Sequence, residues 1–146
     1  MEEIQSEKIV LVAEHNPEHF RLIERVFCES QVRPRLIRIS DGREFTKYLQ
    51  QEVDKTTFPL PNLILLDLSI PGKDGLEILS DIKTHALLKR IPIVILALST
   101  RAEDIMSSYQ LQGNCYVVKS ADLDQLFSII KRIEEFWLGI VTLPSY

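Results

Sequence analysis

The stretch NLILLDLSIPGKDG, residues 62–75, decides the fold of this chain of 146 residues. Its first part, residues 62–66, is apolar on both faces of a strand, and such a run is typical of a parallel strand that helices cover on both sides. Asp67 ends the run, and residues 70–75 contain the proline and glycines of a turn. The stretch therefore predicts a buried parallel strand with a carboxylate at its end.

Short apolar runs alternate with amphipathic segments on both sides of this strand. The other predicted strands are residues 8–13, 35–39, 91–98 and 115–118. The predicted helices, with approximate ends, are residues 17–30, 43–50, 76–83, 101–111 and 122–138. Residues 51–61 are polar and flanked by proline, which predicts a surface loop. Five strands interleaved with five helices predict an α/β fold: a doubly wound, five-stranded parallel sheet in the flavodoxin-like order 2-1-3-4-5, with helices on both faces.

The composition is that of one soluble globular domain. A length of 146 residues fits a single domain over residues 1–146, with its core at about 8–138 and a tail at 139–146. The formal net charge is -4 and no dense block of lysine and arginine is present, which argues against a nucleic-acid partner. Because no apolar run is long enough to span a membrane and the first residues lack a signal-peptide pattern, we expect a cytoplasmic protein without a membrane partner.

Polar residues follow the predicted strands at their carboxyl ends, the edge at which open α/β sheets bind ligands. Glu14 and His15 follow the first strand, Asp67 follows the third, and Lys119 follows the fifth. A nucleotide or flavin site would carry glycine, serine or threonine after the first strand, whereas Glu14 would repel a phosphate. Two neighbouring carboxylates repel each other and attract a cation, and such hard oxygen ligands suit Mg²⁺. The residues therefore predict an acidic pocket that binds a metal ion.

Three motifs carry a resemblance to a known family: LVAEHN at residues 11–16, LILLDLSIPGKDG at 63–75 and CYVVKS at 115–120. Together they resemble the receiver domain of response regulators in two-component signalling, and the likeness extends from Lys8 to the C-terminus. The central motif is the specific one, because an Asp that closes an apolar strand is followed at short distance by Pro and then by Asp-Gly.

The likeness is narrower in four stretches: RISDG, PNLILLDL, LKRIPIVIL and NCYVVKSADLDQLFSIIKRIEEFWLGIVTLP. They look like the small response regulators that partner bacterial and cyanobacterial phytochromes. Ser120, where most receivers carry proline, and the Phe136-Trp137-Leu138 end support this subfamily. The resemblance implies a response regulator without an output domain that docks a phytochrome-type sensor histidine kinase.

The resemblance also implies a role for each polar residue of the pocket. Asp67 would be the phosphoryl acceptor, and Lys119 would pair with the phosphoryl oxygens. Glu14, Asp67 and the carbonyl of Ser69 would hold Mg²⁺. Tyr116, three residues before the lysine, matches the aromatic residue that swings inward on activation. Apart from the transfer of a phosphoryl group to itself, we do not class the protein as an enzyme.

Two positions depart from the family pattern, and a third changes the surroundings of Asp67. Receivers usually carry a second acid where this chain has His15, and a neutral imidazole is a poor ligand for a hard cation. Ala97 stands where a Thr or Ser hydroxyl would bond the phosphoryl group, and losing one such donor costs about 3 kcal/mol in well-studied enzymes. Leu98 is bulky and is expected to narrow the access to Asp67, while strand alternation offers Ser99 as a substitute hydroxyl. We expect phosphorylation to be weak, slow or metal-atypical.

Five other candidate assignments rest on residue type and spacing. His15 is either a transition-metal ligand or an ion-paired lining of the pocket. His19 and His85 are predicted to be surface residues. Cys28 and Cys115 are predicted to be small buried hydrophobic residues, because no metal-ligand or CxxC spacing connects them.

The last predicted helix carries two apolar stripes. The first, expected to face the core, consists of Leu123, Leu126, Phe127, Ile130 and Trp137. The second consists of Ile129, Ile133, Phe136 and Ile140. One stripe suffices to dock a helix on the sheet, so the second predicts either a tail that folds back over it or a partner protein. By resemblance we expect a homodimer through the fourth helix, fifth strand, fifth helix and tail, with a surface made by Ile129, Ile133, Phe136 and Trp137.

Two rival functions remain open on these residues. A pseudo-receiver, which is a phosphorylation-independent protein interaction module, is favoured by His15, Ala97 and Leu98, and it should bind no Mg²⁺. A metal-dependent hydrolase on the same scaffold would need a fuller ligand set and a substrate pocket, neither of which the sequence displays.

Overall fold

A computed structural model describes residues 7–52 and 60–145 of the chain. The strands are β1 Ile9–Ala13, β2 Arg35–Ile39, β3 Leu63–Asp67, β4 Ile93–Ala97 and β5 Cys115–Val118. The helices are α1 Pro17–Cys28, α2 Gly42–Glu52, α3 Gly75–Thr84, α4 Ala102–Gln110 and α5 Leu123–Glu134. A short 3-10 helix at Leu88–Arg90 precedes β4, and a π-helical segment, Glu135–Ile140, continues α5. Within these two described ranges, no helix has the length and apolar character to cross a membrane.

The strands form one parallel sheet in the order β2-β1-β3-β4-β5, which confirms the predicted flavodoxin-like fold. The register aligns the carboxyl ends of neighbouring strands, because Ala13 lies opposite Leu66 and Asp67 lies opposite Leu96. Every residue of β1, β3 and β4 is buried, as their unbroken apolar runs predict. The residues that follow these strands therefore meet at one edge of the sheet.

Helices cover both faces of the sheet, and alternate residues of each strand point to opposite faces. On one face, α1 and α5 form a core with the strands that includes Val10, Val12, Ile23, Val26, Phe27, Leu63, Leu65, Leu126 and Ile130. On the other face, α2 and α3 form a core that includes Leu11, Phe45, Tyr48, Ile64, Leu66, Ile78, Leu79 and Ile82. The two cores fix the sheet between them, so that the side chains at its carboxyl edge stand on a rigid support.

The start of α1 is fixed by a polar cap and a proline. The side chain of Asn16 accepts hydrogen bonds from the amides of Glu18 (2.9 Å) and His19 (3.3 Å), and Pro17 occupies the first helical position. This cap confirms the predicted start of the helix directly after β1. It also places the first turn of α1 beside the carboxyl end of the sheet.

The turn after β3 depends on two glycines. Gly72 has φ +88°, a left-handed conformation that favours glycine, and a Cβ there would lie 2.5 Å from the carboxylate of Asp41. A Cβ on Gly75 would lie 2.7 Å from the backbone of Leu68, so α3 can begin this close to the end of β3 because residue 75 has no side chain. Asp74 then caps α3 through its side chain.

Two predictions about surface and interior are wrong. The predicted loop 51–61 starts too early, because Glu52 is the last residue of α2, and residues 53–59 lie outside the described part of the chain. Glutamine and glutamate are good helix formers, so their polarity does not signal a loop. Cys28, predicted to be buried, is exposed at the last position of α1, while Cys115 is half-buried. The helix face on which a residue lies decides its exposure, and residue type alone does not.

The two stripes of α5 are shifted relative to the prediction. Leu123, predicted to face the core, is 42% exposed, whereas Ile133 of the second stripe is 7% exposed and packs in the core under α1 and α5. Because α5 packs against both the sheet and α1, its buried face is wider than one stripe. Phe136 and Ile140 are 48% and 74% exposed, so the C-terminal tail leaves much of their surface in solvent.

The tail after the π-helical segment runs to the amino ends of the strands. Leu143 is buried in the core under α1 and α5. The carbonyl of Pro144 accepts a hydrogen bond of 2.7 Å from the side chain of Asn62, and the hydroxyl of Ser145 accepts one of 3.2 Å from Lys8. Ile133 of the second stripe of α5 lies in the same core as Leu143, whereas Phe136 and Ile140 remain exposed, so the tail does not cover the whole of this stripe.

Candidate functional site

Three charged side chains meet at the carboxyl edge of the sheet. Asp67 is the last residue of β3, Glu14 directly follows β1, and Lys119 directly follows β5. They are 3%, 1% and 6% exposed, respectively. The Lys119 side chain reaches across the end of β4 to both carboxylates, and its ammonium lies 2.5 Å from Glu14 Oε2 and 2.8 Å from Asp67 Oδ2.

A third contact of the Lys119 ammonium comes from a residue predicted to lie on the surface. Lys119 Nζ is 3.0 Å from Nδ1 of His19 in the first turn of α1. An ammonium has three hydrogen-bond donors and no acceptor, so Nδ1 accepts and the ring proton lies on Nε2. The prediction that His19 is a surface residue without a partner is therefore wrong. The signal in the sequence is the Asn16 cap, which places the third helical residue next to the strand ends.

The second oxygen of Asp67 is held by the residue two positions further along the chain. Oδ1 of Asp67 accepts a hydrogen bond of 2.9 Å from the amide of Ser69 and one of 2.7 Å from its hydroxyl. A local turn of this kind fixes the orientation of the carboxylate. It also brings the backbone of Ser69, whose carbonyl is a predicted metal ligand, beside Asp67.

Burial and neighbouring charges act in different proportions on the two carboxylates. Burial and the negative charge of Asp67 raise the pKa of Glu14, and Lys119 offsets this in part. Burial would also raise the pKa of Asp67, but the hydrogen bond and charge of Lys119, together with the bonds from Ser69, keep it below its ordinary value. Asp67 therefore stays ionised to a lower pH than Glu14 does. Two carboxylates and one ammonium leave the pocket with a net negative charge that attracts a cation.

The donor atoms for a metal ion come from three residues. One oxygen each of Glu14 and Asp67 and one ring nitrogen of His15 lie within 4.8 Å of one another. Nδ1 of His15 is 3.9 Å from Oε1 of Glu14, and the His15 side chain is 43% exposed, so solvent reaches the pocket from this side. The arrangement fits a divalent ion with mixed oxygen and nitrogen ligands.

Comparison with known proteins decides the family. Residues 10–131 match the family described as the response regulator receiver domain. The chain belongs to this family. It is 44% identical to the response regulator Rcp1 of Synechocystis sp. over 138 residues, which are 94% of this chain and 94% of Rcp1. The resemblance predicted from the strand-end motifs is thereby confirmed.

Two crystal structures are similar to this receiver domain over almost its whole length. The structure of the phosphorylated cyanobacterial phytochrome response regulator RcpA has a TM-score of 0.90 and 46% identity, and the match covers 96% of this chain and 100% of RcpA. The structure of the Mn²⁺-bound form of Rcp1 has a TM-score of 0.90 and 43% identity, and the match covers 94% and 99% of the two chains.

A methyl group ends β4 at the position where receivers usually carry a hydroxyl. The residue is Ala97, which is 4% exposed. Ser99 does not substitute for it, because its hydroxyl donates to Oδ2 of Asp104 (2.5 Å) and accepts from the amide of Arg101 (3.2 Å) at the start of α4. The interpretation of Ser99 as a replacement hydroxyl is therefore wrong. Leu98 is 58% exposed, and its effect on access to Asp67 stays a prediction.

Tyr116 of the receiver domain lies half-buried on β5, and its side chain reaches the segment between β4 and α4. Its hydroxyl donates to the carbonyl of Ser99 at 2.9 Å, and its amide donates to the hydroxyl of Tyr109 at 3.2 Å. Burial raises the pKa of the Tyr116 hydroxyl. The side chain thus ties β5 to the segment that follows β4, and its predicted role as a switch stays a prediction.

The predicted partner surface forms one wall of an apolar groove between β5 and the end of α5. The groove has a volume of about 660 Å³. It is lined by Ile129, Ile133, Phe136 and Trp137 together with Asn114, Cys115, Val117 and Arg132. The rings of Phe136 and Trp137 meet edge to face, with their centroids 5.4 Å apart. The structure therefore brings the four predicted residues together on one surface.

Proposed function

We propose that this receiver domain takes up a phosphoryl group on Asp67 from the phosphohistidine of a sensor histidine kinase, as a response regulator in a two-component phosphorelay. The observation that carries the proposal is the buried Asp67 carboxylate at the end of β3, with the Lys119 ammonium 2.8 Å away. In the transfer, an oxygen of Asp67 bonds to phosphorus while the bond between phosphorus and the kinase histidine breaks. Lys119 stands where it balances the charge of the transferred group.

The kinase partner that we propose is of the phytochrome type. RcpA is a cyanobacterial phytochrome response regulator, and this chain is 46% identical to it over the whole of the RcpA chain. Rcp1 is matched over 94% of its length. Similarity over nearly the whole of both relatives supports a response regulator of the same type.

We propose that the transfer is slower than in a receiver with the full set of pocket residues. Ala97 offers no donor to the phosphoryl oxygens, and one preorganised donor is worth about 3 kcal/mol, on the order of a hundredfold in rate. The imidazole of His15 also adds no negative charge, so the pocket attracts a divalent ion less strongly than two adjacent acids would.

The proposed ligands of a divalent ion are Glu14, Asp67 and the carbonyl of Ser69, with His15 as a fourth. When bound, the ion supplies positive charge that neutralises the phosphoryl oxygens. An imidazole ligand suits first-row transition metals better than Mg²⁺, so we propose that an ion such as Mn²⁺ binds more tightly than Mg²⁺. The Mn²⁺-bound structure of Rcp1, which is 43% identical, supports a divalent ion in this fold.

The test is intact-mass analysis after incubation with acetyl phosphate, first with Mg²⁺ and then with Mn²⁺. We expect the wild-type protein to gain the mass of one phosphoryl group, with more of it modified in Mn²⁺ than in Mg²⁺. Asp67→Asn keeps the size of the side chain and should gain none, and circular dichroism checks that both proteins are folded. A folded wild-type protein that gains no mass with either ion contradicts the proposal and favours the pseudo-receiver, which His15 and Ala97 support.

We propose a second copy of the chain as the occupant of the groove between β5 and α5. The groove is lined mainly by apolar side chains, Phe136 is 48% exposed there, and Ile140, 74% exposed, follows in the same segment. Exposed apolar surface of this kind marks an interaction site.

Light scattering should give a dimer mass for the wild-type protein and a monomer mass for Phe136→Asp. Val32→Asp makes the same change at an exposed site outside the groove and should stay dimeric, and a monomeric wild-type protein would contradict the proposal.

A further inference from the structure

One of the three residues that hold the Lys119 ammonium, His19, has no part in metal or phosphoryl binding as proposed above. The three acceptors of the ammonium are Glu14 Oε2 at 2.5 Å, Asp67 Oδ2 at 2.8 Å and His19 Nδ1 at 3.0 Å. Since an ammonium has three donors, these contacts use its full hydrogen-bonding capacity. Glu14 and Asp67 approach it from strand ends, whereas His19 approaches it from a helix.

The backbone that carries His19 is fixed by the start of α1. The amide of His19 donates to the Asn16 cap at 3.3 Å, and Pro17 sets the backbone one residue after that cap. Burial and the positive charge of Lys119 hold the pKa of His19 below its ordinary value, so the neutral ring can accept a hydrogen bond. The acceptor therefore stands on a fixed backbone and is in the protonation state that the contact requires.

We propose that His19 is a positioning residue that holds the Lys119 ammonium over Asp67 while Asp67 takes up a phosphoryl group, an inference that rests on the proposed function. When Asp67 forms its bond to phosphorus, the ammonium exchanges its contact with Asp67 Oδ2 for a phosphoryl oxygen. Glu14 and His19 keep the other two contacts. A lysine ends in a point charge on a flexible four-carbon stem. Contacts with two acceptors on different elements restrain that charge more than a contact with one acceptor does.

Ala97 makes this restraint more important than it would be in a receiver with a hydroxyl at the end of β4. A methyl group offers no hydrogen bond to the phosphoryl group, so the transferred charge depends more heavily on Lys119. A small displacement of the ammonium then removes a larger share of the total stabilisation.

The test compares His19→Ala, His19→Asn and Glu24→Ala. The rate of phosphoryl uptake is measured as a function of acetyl phosphate concentration. Asn carries an oxygen at the position of Nδ1 and so restores the acceptor, while Glu24 is an exposed residue of the same helix. For His19→Ala we expect a limiting rate about tenfold lower, from one lost hydrogen bond to a charged group, with the half-saturating concentration unchanged. His19→Asn should recover most of the rate, and Glu24→Ala should match the wild-type protein.

A second measurement does not depend on phosphoryl transfer. The ¹⁵N spectrum of His19 should show the proton on Nε2 and a hydrogen-bonded Nδ1 in the wild-type protein, and Lys119→Met should remove the hydrogen bond to Nδ1. A free Nδ1 in the wild-type protein overturns the positioning role. A wild-type rate in His19→Ala, or the absence of rescue by Asn, overturns the positioning role while Asp67 stands as the acceptor. If the wild-type protein takes up no phosphoryl group, both proposals fail together.

Discussion

Replacement of Lys119 by methionine tests the electrostatics of the pocket. The change keeps the apolar stem but removes the ammonium that contacts Glu14 at 2.5 Å and Asp67 at 2.8 Å. The two buried carboxylates then face each other without a counter-charge, and two unit charges about 4 Å apart repel by about 4 kcal/mol at an effective dielectric constant near 20. Removal of one partner from a buried ion pair costs about 3–5 kcal/mol in measured cases. We expect Lys119→Met to lower the free energy of unfolding by about 3 kcal/mol at pH 7.

The loss should shrink as the pH falls. Burial and Asp67 already raise the pKa of Glu14 above its ordinary value of 4.5, and loss of the ammonium raises it further. A carboxyl group whose pKa is raised by folding stabilises the protein fully below its unfolded pKa, and this contribution is lost as the pH rises through the folded pKa. The two proteins should therefore differ most at the alkaline end of the range and least at the acidic end, where a larger fraction of Glu14 in the variant binds a proton and the repulsion weakens.

Urea unfolding followed by circular dichroism between pH 5 and pH 8 measures this effect. With a denaturant slope of about 1.5–2 kcal/mol per molar, a loss of 3 kcal/mol lowers the midpoint by about 1.5–2 M. The double variant Lys119→Met with Glu14→Gln removes the repulsion together with the ammonium and should regain most of the loss. A midpoint for Lys119→Met at or above that of the wild-type protein at pH 7, or a difference that grows as the pH falls, refutes this reasoning.

Three further outcomes are expected. His15→Asp should raise the affinity for Mg²⁺ by about tenfold or more in titration calorimetry, because a hard carboxylate replaces an imidazole. An unchanged ratio of the Mg²⁺ and Mn²⁺ affinities would exclude His15 as a ligand. Ala97→Thr should speed phosphoryl uptake from acetyl phosphate about a hundredfold, and a wild-type rate would show that the missing hydroxyl does not limit transfer. Leu143→Ala should lower the free energy of unfolding in urea by about 2–3 kcal/mol. Phosphoryl uptake should stay normal, because the tail lies at the opposite end of the strands from Asp67. A free energy of unfolding equal to that of the wild-type protein would show that the tail is not anchored.

The sheet could be predicted closely from the sequence because each of its central strands carries its own signal. The unbroken apolar runs of β1, β3 and β4 indicate burial on both faces, and the topology of parallel strands then places the residues after them at one edge. Glu14, Asp67 and Lys119 follow directly from this rule. The prediction that these three residues meet at one edge of the sheet needs no information about side-chain packing.

Contacts that depend on how helices pack could not be predicted in the same way. The position of His19 beside Lys119 depends on the angle at which α1 leaves β1 and on the ring orientation. In α5, the burial of Ile133 and the exposure of Leu123 follow from packing against α1 as well as the sheet. Helical periodicity gives two adjacent stripes but does not say which of them meets the sheet.

The most direct test of the central claim is to locate the phosphoryl group after incubation with acetyl phosphate and Mn²⁺. Reduction with borohydride converts an aspartyl phosphate to a stable residue, and peptide mass mapping then identifies its position. We expect modification at Asp67 in the wild-type protein and none in Asp67→Asn. Modification at another residue, or a folded wild-type protein that remains unmodified, would contradict the assignment of Asp67 as the phosphoryl acceptor.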